Sequence, residues 1–231
     1  MSGASPAAVP DIRGIVFDLD GTLVDSLADI TASLNTVLRR EGLPERDADW
    51  TRRNVGLGAT HLVRQAVAGT AGEGALMRLV DDYVAHYNAH PCVRTCAYPG
   101  VPETLAECAR RGLALAVASN KPAGIVAQVV DALGFGGRFR FIWGSDSFPV
   151  LKPDPAALLA FMERTGLRPA AVLMVGDSAA DVVCAHNSGA WSCHFTAGYG
   201  TLDGSGLTPH WRIAAIPELI AILDGTAPFL G

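Results

Sequence analysis

Five short apolar bursts, Gly14 to Phe17, Leu113 to Ala118, Arg140 to Trp143, Val172 to Val175 and Trp191 to Phe195, recur along this chain of 231 residues. They are too short for buried helices and mostly apolar, which predicts buried strands, as in a parallel sheet. Between them lie segments with helical spacing: Val101, Thr104, Leu105 and Cys108, then Ile125, Val126, Val129, Val130 and Leu133, then Leu158, Leu159 and Met162. Strand alternating with helix predicts an α/β protein, a parallel sheet with helices on both faces in three α/β/α layers.

One interval breaks the rhythm. From Ser26 to Cys96 the only periodic signals are helical, carried by Leu27, Ile30, Leu34, Val37 and Leu38, by Leu62, Val63, Ala66 and Val67, and by Leu76, Leu79, Val80, Tyr83 and Tyr87. That length exceeds what a crossover helix needs, so an inserted all-helical cap subdomain is expected over 26–96. The Tyr98-Pro99-Gly100-Val101 turn marks the return to a core made of 11–25 and 97–231. Residues 1–10 read as a flexible N-terminus. Near the other end, Trp211, Ile213, Phe229 and Leu230 are expected to pack against the last strand or to form a subunit contact, so the oligomeric state, monomer or homodimer, stays open.

Apolar residues make up 49% of the chain and charged residues 18%, enough for a large buried core and too few charges for a disordered polymer. The net charge of −5, with no basic run, makes nucleic acid and anionic membranes poor partners. No apolar stretch approaches the roughly 20 residues of a membrane helix. Five cysteines without a C-x-x-C pair argue against a disulfide framework and for a reducing, cytoplasmic setting. Cys184, His186, Cys193 and His194 cluster in sequence but fit no standard zinc spacing, so buried thiols are the better reading.

The first strand runs straight into Asp18-Leu19-Asp20-Gly21-Thr22-Leu23. Two carboxylates thus stand at the carboxyl end of a buried strand, where open α/β sheets bind ligands. Residues two apart in extended chain project to one side, so Asp18 and Asp20 can share a site, and Gly21 lets the backbone bend away. Paired acids repel and require a cation or a shared proton. A second acidic group, Asp177 and Asp181, follows the fourth strand in Val175-Gly176-Asp177-Ser178. Asp181 serves a site equally with simple stabilisation of a helix N-terminus. An oxygen-only donor set suits Mg²⁺ better than zinc.

Of 18 cationic side chains, 16 are arginine and two are lysine, Lys121 and Lys152. Each lysine follows a predicted strand, in Ser119-Asn120-Lys121-Pro122 and in Leu151-Lys152-Pro153-Asp154-Pro155. A chain that writes its other cations as arginine keeps lysine where a compact ammonium is wanted.

Together these residues resemble the haloacid dehalogenase-like hydrolase superfamily. Asp18-x-Asp20-Gly21-Thr22 resembles its first motif, Ser119 its second, Lys152 its third and Gly176-Asp177-Ser178-x-x-Asp181 its fourth. The resemblance implies a Rossmann-like core with a helical cap, and a Mg²⁺-dependent phosphomonoesterase acting on a small phosphorylated metabolite. It implies that Asp18 is the nucleophile and Asp20 the general acid and base. It places Mg²⁺ on the Asp18 and Asp177 carboxylates and the Asp20 backbone carbonyl, with Asp181 supporting from behind. Ser119, Asn120 and Lys152 would meet the phosphoryl group, Lys152 also serving catalysis as a fixed positive charge.

Departures narrow the choice. Dehalogenases of the family lack the second acid, present here as Asp20, and phosphonoacetaldehyde hydrolases need a cap lysine, whereas 26–96 contains none. The likeness is greatest to members that hydrolyse 2-phosphoglycolate, through Asp18 to Ser26, Asn54-Val55-Gly56-Leu57-Gly58 and Gly198-Tyr199-Gly200. Arg53, or Arg52 beside it, would then meet the substrate carboxylate, or else be a solvated helix-end cation. Sugar-phosphate phosphatases and phosphomutases of the same superfamily, and a catalytically inactive phosphometabolite-binding protein, remain as alternatives.

Overall fold

The computed structural model describes residues 10–70 and 72–230, so the stretch 1–10, apart from Pro10, lies outside the described residues. Strand β1 (Gly14–Phe17) leads through a tight turn into β2 (Val24–Asp25) and then four helices, α1 (Leu27–Arg40), α2 (Ala48–Asn54), α3 (Ala59–Ala66) and α4 (Glu73–Ala89). A short strand β3 (Cys96–Ala97) returns antiparallel to β2. There follow α5 (Val101–Arg110), β4 (Ala114–Ala118), α6 (Ala123–Ala132), β5 (Phe141–Trp143), α7 (Ala156–Thr165), β6 (Val172–Gly176), α8 (Ala179–Ser188), β7 (Trp191–Phe195), β8 (Trp211–Ile213) and α9 (Leu219–Leu223).

The main sheet has six parallel strands in the order β5-β4-β1-β6-β7-β8. Side chains alternate across it. Ile15 and Phe17 of β1 join Leu115, Val117, Leu173 and Val175 in one apolar layer that continues into α5, α6 and the helices between β2 and β3. Val16, Ala116 and Met174 face the other way, onto Leu158 and Phe161 of α7 and Ala185 of α8. Each fully buried Leu, Ile or Phe contributes about 1.5–3 kcal/mol relative to exposure, so two covered faces hold the sheet without help from disulfides; all five thiols are free.

Two elements differ from expectation. Trp211 and Ile213, expected to pack against the last strand, are themselves that strand, buried on either side of an exposed Arg212. The β2–β3 ribbon was not foreseen either, and it closes the neck through which the chain leaves and re-enters the core. No helix among the described residues is long and apolar enough to cross a membrane.

Asp29, on the first turn of α1, ties that neck together. It is buried, and its carboxylate accepts from the amides of Val93 (2.9 Å), Arg94 (2.8 Å) and Thr95 (2.8 Å) and from the Thr95 hydroxyl (2.7 Å). Burial alone would raise its pKa, but the donors, led by the Arg94 amide, outweigh it and hold the carboxyl below the ordinary range. A depressed carboxyl adds stability above its unfolded pKa and loses it as pH falls through the folded value. Asp29→Ala, which strands these donors, is expected to cost about 3 kcal/mol, read by urea unfolding at pH 7. The difference from wild type should shrink as pH drops below about 4; a difference that does not change with pH would refute this account.

Candidate active site

Strand register builds the site. Phe17 lies opposite Val117 on one side and Val175 on the other, so the chain ends of β1, β4 and β6 fall level. Asp18, Ser119 and Asp177, each one or two residues beyond those partners, therefore emerge together at the carboxyl edge. The bond from the Asp18 amide to the Val175 carbonyl, 2.9 Å, continues the ladder to the last useful residue.

Asp18, Asp177 and Asp181 each offer a carboxylate oxygen within 4.8 Å of the others, and all three are buried. Lys152 joins two of them, its Nζ donating to Asp181 Oδ1 at 2.7 Å and lying 2.9 Å from Asp18 Oδ1. Three carboxylates share one ammonium, which leaves two negative charges uncompensated. Burial accordingly pushes the Asp18 carboxyl up to about 8, with Asp181 and Asp177 adding to the rise and Lys152 opposing it. Asp177 is pushed up to about 6, by burial first and then by Asp181, while the amides of Gly200 and Tyr199 restrain it. An all-oxygen set short of two positive charges fits a divalent cation.

Backbone surrounds Asp177. Its Oδ2 accepts from the amides of Tyr199 (2.7 Å) and Gly200 (3.0 Å), and His194 Nε2 lies 2.9 Å from its carbonyl oxygen. A Cβ on Gly21, whose φ is +79°, would stand 2.3 Å from Asp177 Oδ2. One on Gly198 would stand 2.3 Å from Asp177 Cβ, and one on Gly200 would stand 2.6 Å from the Asp177 carbonyl. Glycine is required at these places by space, and at 21 by conformation as well.

Asp181 caps a helix and holds a lysine at once. Its Oδ2 accepts from the Ser178 amide (3.0 Å) and hydroxyl (2.6 Å), a capping box at the start of α8, while Oδ1 holds Lys152. With both oxygens engaged, it suits support of the cluster better than direct ligation, although it stands within the cluster.

The Asp20 carboxylate is not part of that group. It turns to Lys121, 2.6 Å from Oδ1, and to the Ser26 hydroxyl. Lys121 Nζ also donates to the Tyr87 hydroxyl of α4 at 2.6 Å. Ser119 Oγ accepts weakly from the Lys121 amide at 3.3 Å, a bond that does not use its own proton.

Two expectations need correction. Asn120 lines the cleft, but its amide protons go to the carbonyls of Gly56 (3.0 Å) and Lys152 (3.1 Å), and its Oδ1 accepts from the Lys152 amide (3.0 Å). Its side chain braces the Lys152 loop against the 54–58 loop and has no amide proton to spare for substrate. Arg53 is exposed and does not line the cleft, since the last turn of α2 points it to solvent; neighbouring Arg52 instead lies 5.5 Å from the Tyr199 ring centre.

Sequence reasoning passed over Tyr199 except as part of a Gly-Tyr-Gly likeness. Its hydroxyl accepts from the amides of Ser26 (2.6 Å) and Leu27 (2.9 Å) at the start of α1 and donates to Asp25 (2.8 Å). No local signal betrays a contact across more than 170 residues; only the lack of a side-chain cap at the start of α1 hints at an outside acceptor.

The fold and this edge define a Rossmann-like α/β protein with three buried carboxylates and an ammonium gathered where such sheets bind ligands. The family model for haloacid dehalogenase-like hydrolases matches residues 15–194, and the chain belongs to that family. It is 36% identical to the phosphoglycolate phosphatase of Pseudomonas putida over 231 residues, covering 96% of this chain and 82% of that protein. With phosphoglycolate phosphatase 1 of Pseudomonas aeruginosa it shares 39% identity over 209 residues, 86% of this chain and 75% of the relative. Among solved structures, a predicted phosphoglycolate phosphatase from Haemophilus somnus matches with a TM-score of 0.84 at 29% identity, covering 92% of this chain and 98% of that one.

The crowded acids predict a pH-linked response to cations. Carboxyls whose pKa rises on folding take up protons, so the cation-free protein should lose stability from about pH 4 to about pH 8 as the unfolded chain ionises first. A divalent cation binds the ionised form. The rise in melting temperature on adding millimolar Mg²⁺ should therefore be several degrees at pH 8 and near zero at pH 5. An equal shift at both pH values would contradict the acid cluster as the binding place.

Proposed function

We propose that this protein is a Mg²⁺-dependent phosphomonoesterase whose substrate is 2-phosphoglycolate. The observation that carries the reading is the meeting of Asp18, Asp177 and Lys152 at one sheet edge, with Asp20 and Ser119 beside them. The names borne by the relatives supply the substrate.

In this reading an Asp18 carboxylate oxygen attacks phosphorus as the bond to the glycolate oxygen breaks, and Asp20 donates the proton that the leaving oxygen needs. Asp20, now ionised, takes a proton from water, whose oxygen attacks the aspartyl-phosphate, releases inorganic phosphate and restores Asp18. Lys152 and the Ser119 hydroxyl hold the phosphoryl oxygens. Asp18, Asp177 and the Asp20 carbonyl would hold Mg²⁺, which when bound offsets the charge between dianionic phosphate and carboxylates. The division into a core of 11–25 and 97–231 with a cap of 26–96, a cytoplasmic setting and a monomeric or homodimeric state belong to the same proposal.

The test is release of inorganic phosphate by purified protein with Mg²⁺ over a panel of phosphoglycolate, sugar phosphates, nucleotides and pyrophosphate. Phosphoglycolate is expected to give the highest kcat/KM, and EDTA to stop the reaction. Conversion of one sugar phosphate to another without phosphate release would instead identify a mutase, and no turnover of any phosphoester a binding protein.

A further inference from the structure

The mechanism above leaves one buried cation without a task. Lys121 holds the Asp20 carboxylate and the Tyr87 hydroxyl at 2.6 Å each, and its Nζ lies 4.4 Å from the centre of the Tyr87 ring. The proposed proton donor is thus bound sideways, to a cation and to Ser26.

The same ammonium lines a cleft between the sheet edge and α3 and α4. Much of the remaining wall is apolar, from Ile30, Val55, Leu62, Val84 and Ile125, and Lys121 is the only cation among the described residues lining it. Arg52 and Arg53, the nearby alternatives, are both exposed and outside that lining. A second negative charge on a substrate entering this cleft finds one partner.

We propose that Lys121 sets the specificity of this site by exchanging partners. It gives up Asp20 to take a carboxylate on the substrate, and Asp20 is thereby freed to face the leaving oxygen. The inference rests on the phosphatase reading and adds the residue that selects phosphomonoesters carrying a carboxylate close to the ester. Lysine is suited to the exchange, because an ammonium has three donors on a flexible stem: one stays on Tyr87 while another moves from Asp20 to substrate. An ester without the carboxylate would have to break the Lys121–Asp20 pair with nothing in return, and a site built for a polar group rejects the analogue that lacks it.

The experiment compares kcat/KM for 2-phosphoglycolate with that for ethyl phosphate, which lacks the carboxylate, in wild type and in Lys121→Met. The ratio is independent of how much variant folds, because both substrates report on the same active fraction. It is expected to exceed about 100 in wild type and to fall by about 10- to 100-fold in the variant, the range for one lost charged hydrogen bond. Should Lys121→Met prove insoluble, Lys121→Gln reads the same ratio. A ratio unchanged within threefold, with both substrates slowed together, would show that Lys121 serves Asp20 alone and overturn the proposal, as would a wild-type ratio near one. A wild type inactive on both esters and on p-nitrophenyl phosphate would instead remove the phosphatase reading itself.

Discussion

Asp18→Asn is expected to abolish turnover, with a fall of at least about 10⁴-fold in kcat, while the protein stays folded. An amide cannot form the acyl-phosphate, so no second route through this residue remains. The fold should tolerate the change because Asn offers an oxygen to the Leu19 amide and to Lys152, which reach Asp18 Oδ1 at 2.7 and 2.9 Å. It also removes one of three crowded negative charges, in a place where burial already pushes the carboxyl up to about 8. Without Mg²⁺ at pH 8 the variant should therefore melt no lower than wild type. Phosphate release and a melting curve on one preparation check both halves; a folded variant with full activity would remove Asp18 from the reaction.

Lys152→Met should be damaging in two ways at once. Burial would lower the affinity of this ammonium for its proton, but Asp18 and Asp181 outweigh that and raise it, so Lys152 stays charged across the working range. Removing it leaves two buried carboxylates unpaired, with an expected loss of about 3–5 kcal/mol in stability. The rate should fall by about 10²- to 10³-fold, as when one fixed charge is taken from a transition state. The pH profile separates these effects. Lys152 opposes the upward shift of Asp18, so without it the cation-free carboxyl should hold its proton to higher pH, and the pH above which Mg²⁺ raises the melting temperature should move in the alkaline direction. A profile with unchanged midpoints would confine Lys152 to a structural role. Lys152→Arg is not expected to rescue, since a planar guanidinium does not fit a buried slot shaped for an ammonium between two acids.

What the sequence reveals follows from the range over which each signal acts. β1 is readable to the residue because a strand covered on both sides needs an unbroken apolar run. β8 escapes notice because three residues reading Trp-Arg-Ile, buried only on alternate positions, are a fragment of an edge-strand pattern too short to count. Asp18 and Asp177 are legible because each stands just beyond a strand end, where chain position already fixes position in space, and Lys152 because the chain has only one other lysine. Arg53 misleads because helix phase, which turns it outward, cannot be set from a seven-residue helix bounded by loops. Asn120 misleads differently: its neighbours in sequence touch substrate in the proposed mechanism, yet its own hydrogen bonds are completed by backbone 32 and 64 positions away. Tyr87 and Tyr199 are invisible for the same reason, since what they hold is known only after folding.

The three glycines packed around Asp177 divide the labour of the molecule along its length. Where main chain rather than side chains forms the enclosure, mutation has few ways to adjust it and many ways to break it. The wall formed by Val55, Leu62 and Val84 is made of ordinary side chains on helices and loops that can be exchanged one at a time. The acid cluster and the apolar wall are therefore written in separate stretches of sequence, joined at Lys121, and selection can rework the second while the first stands still.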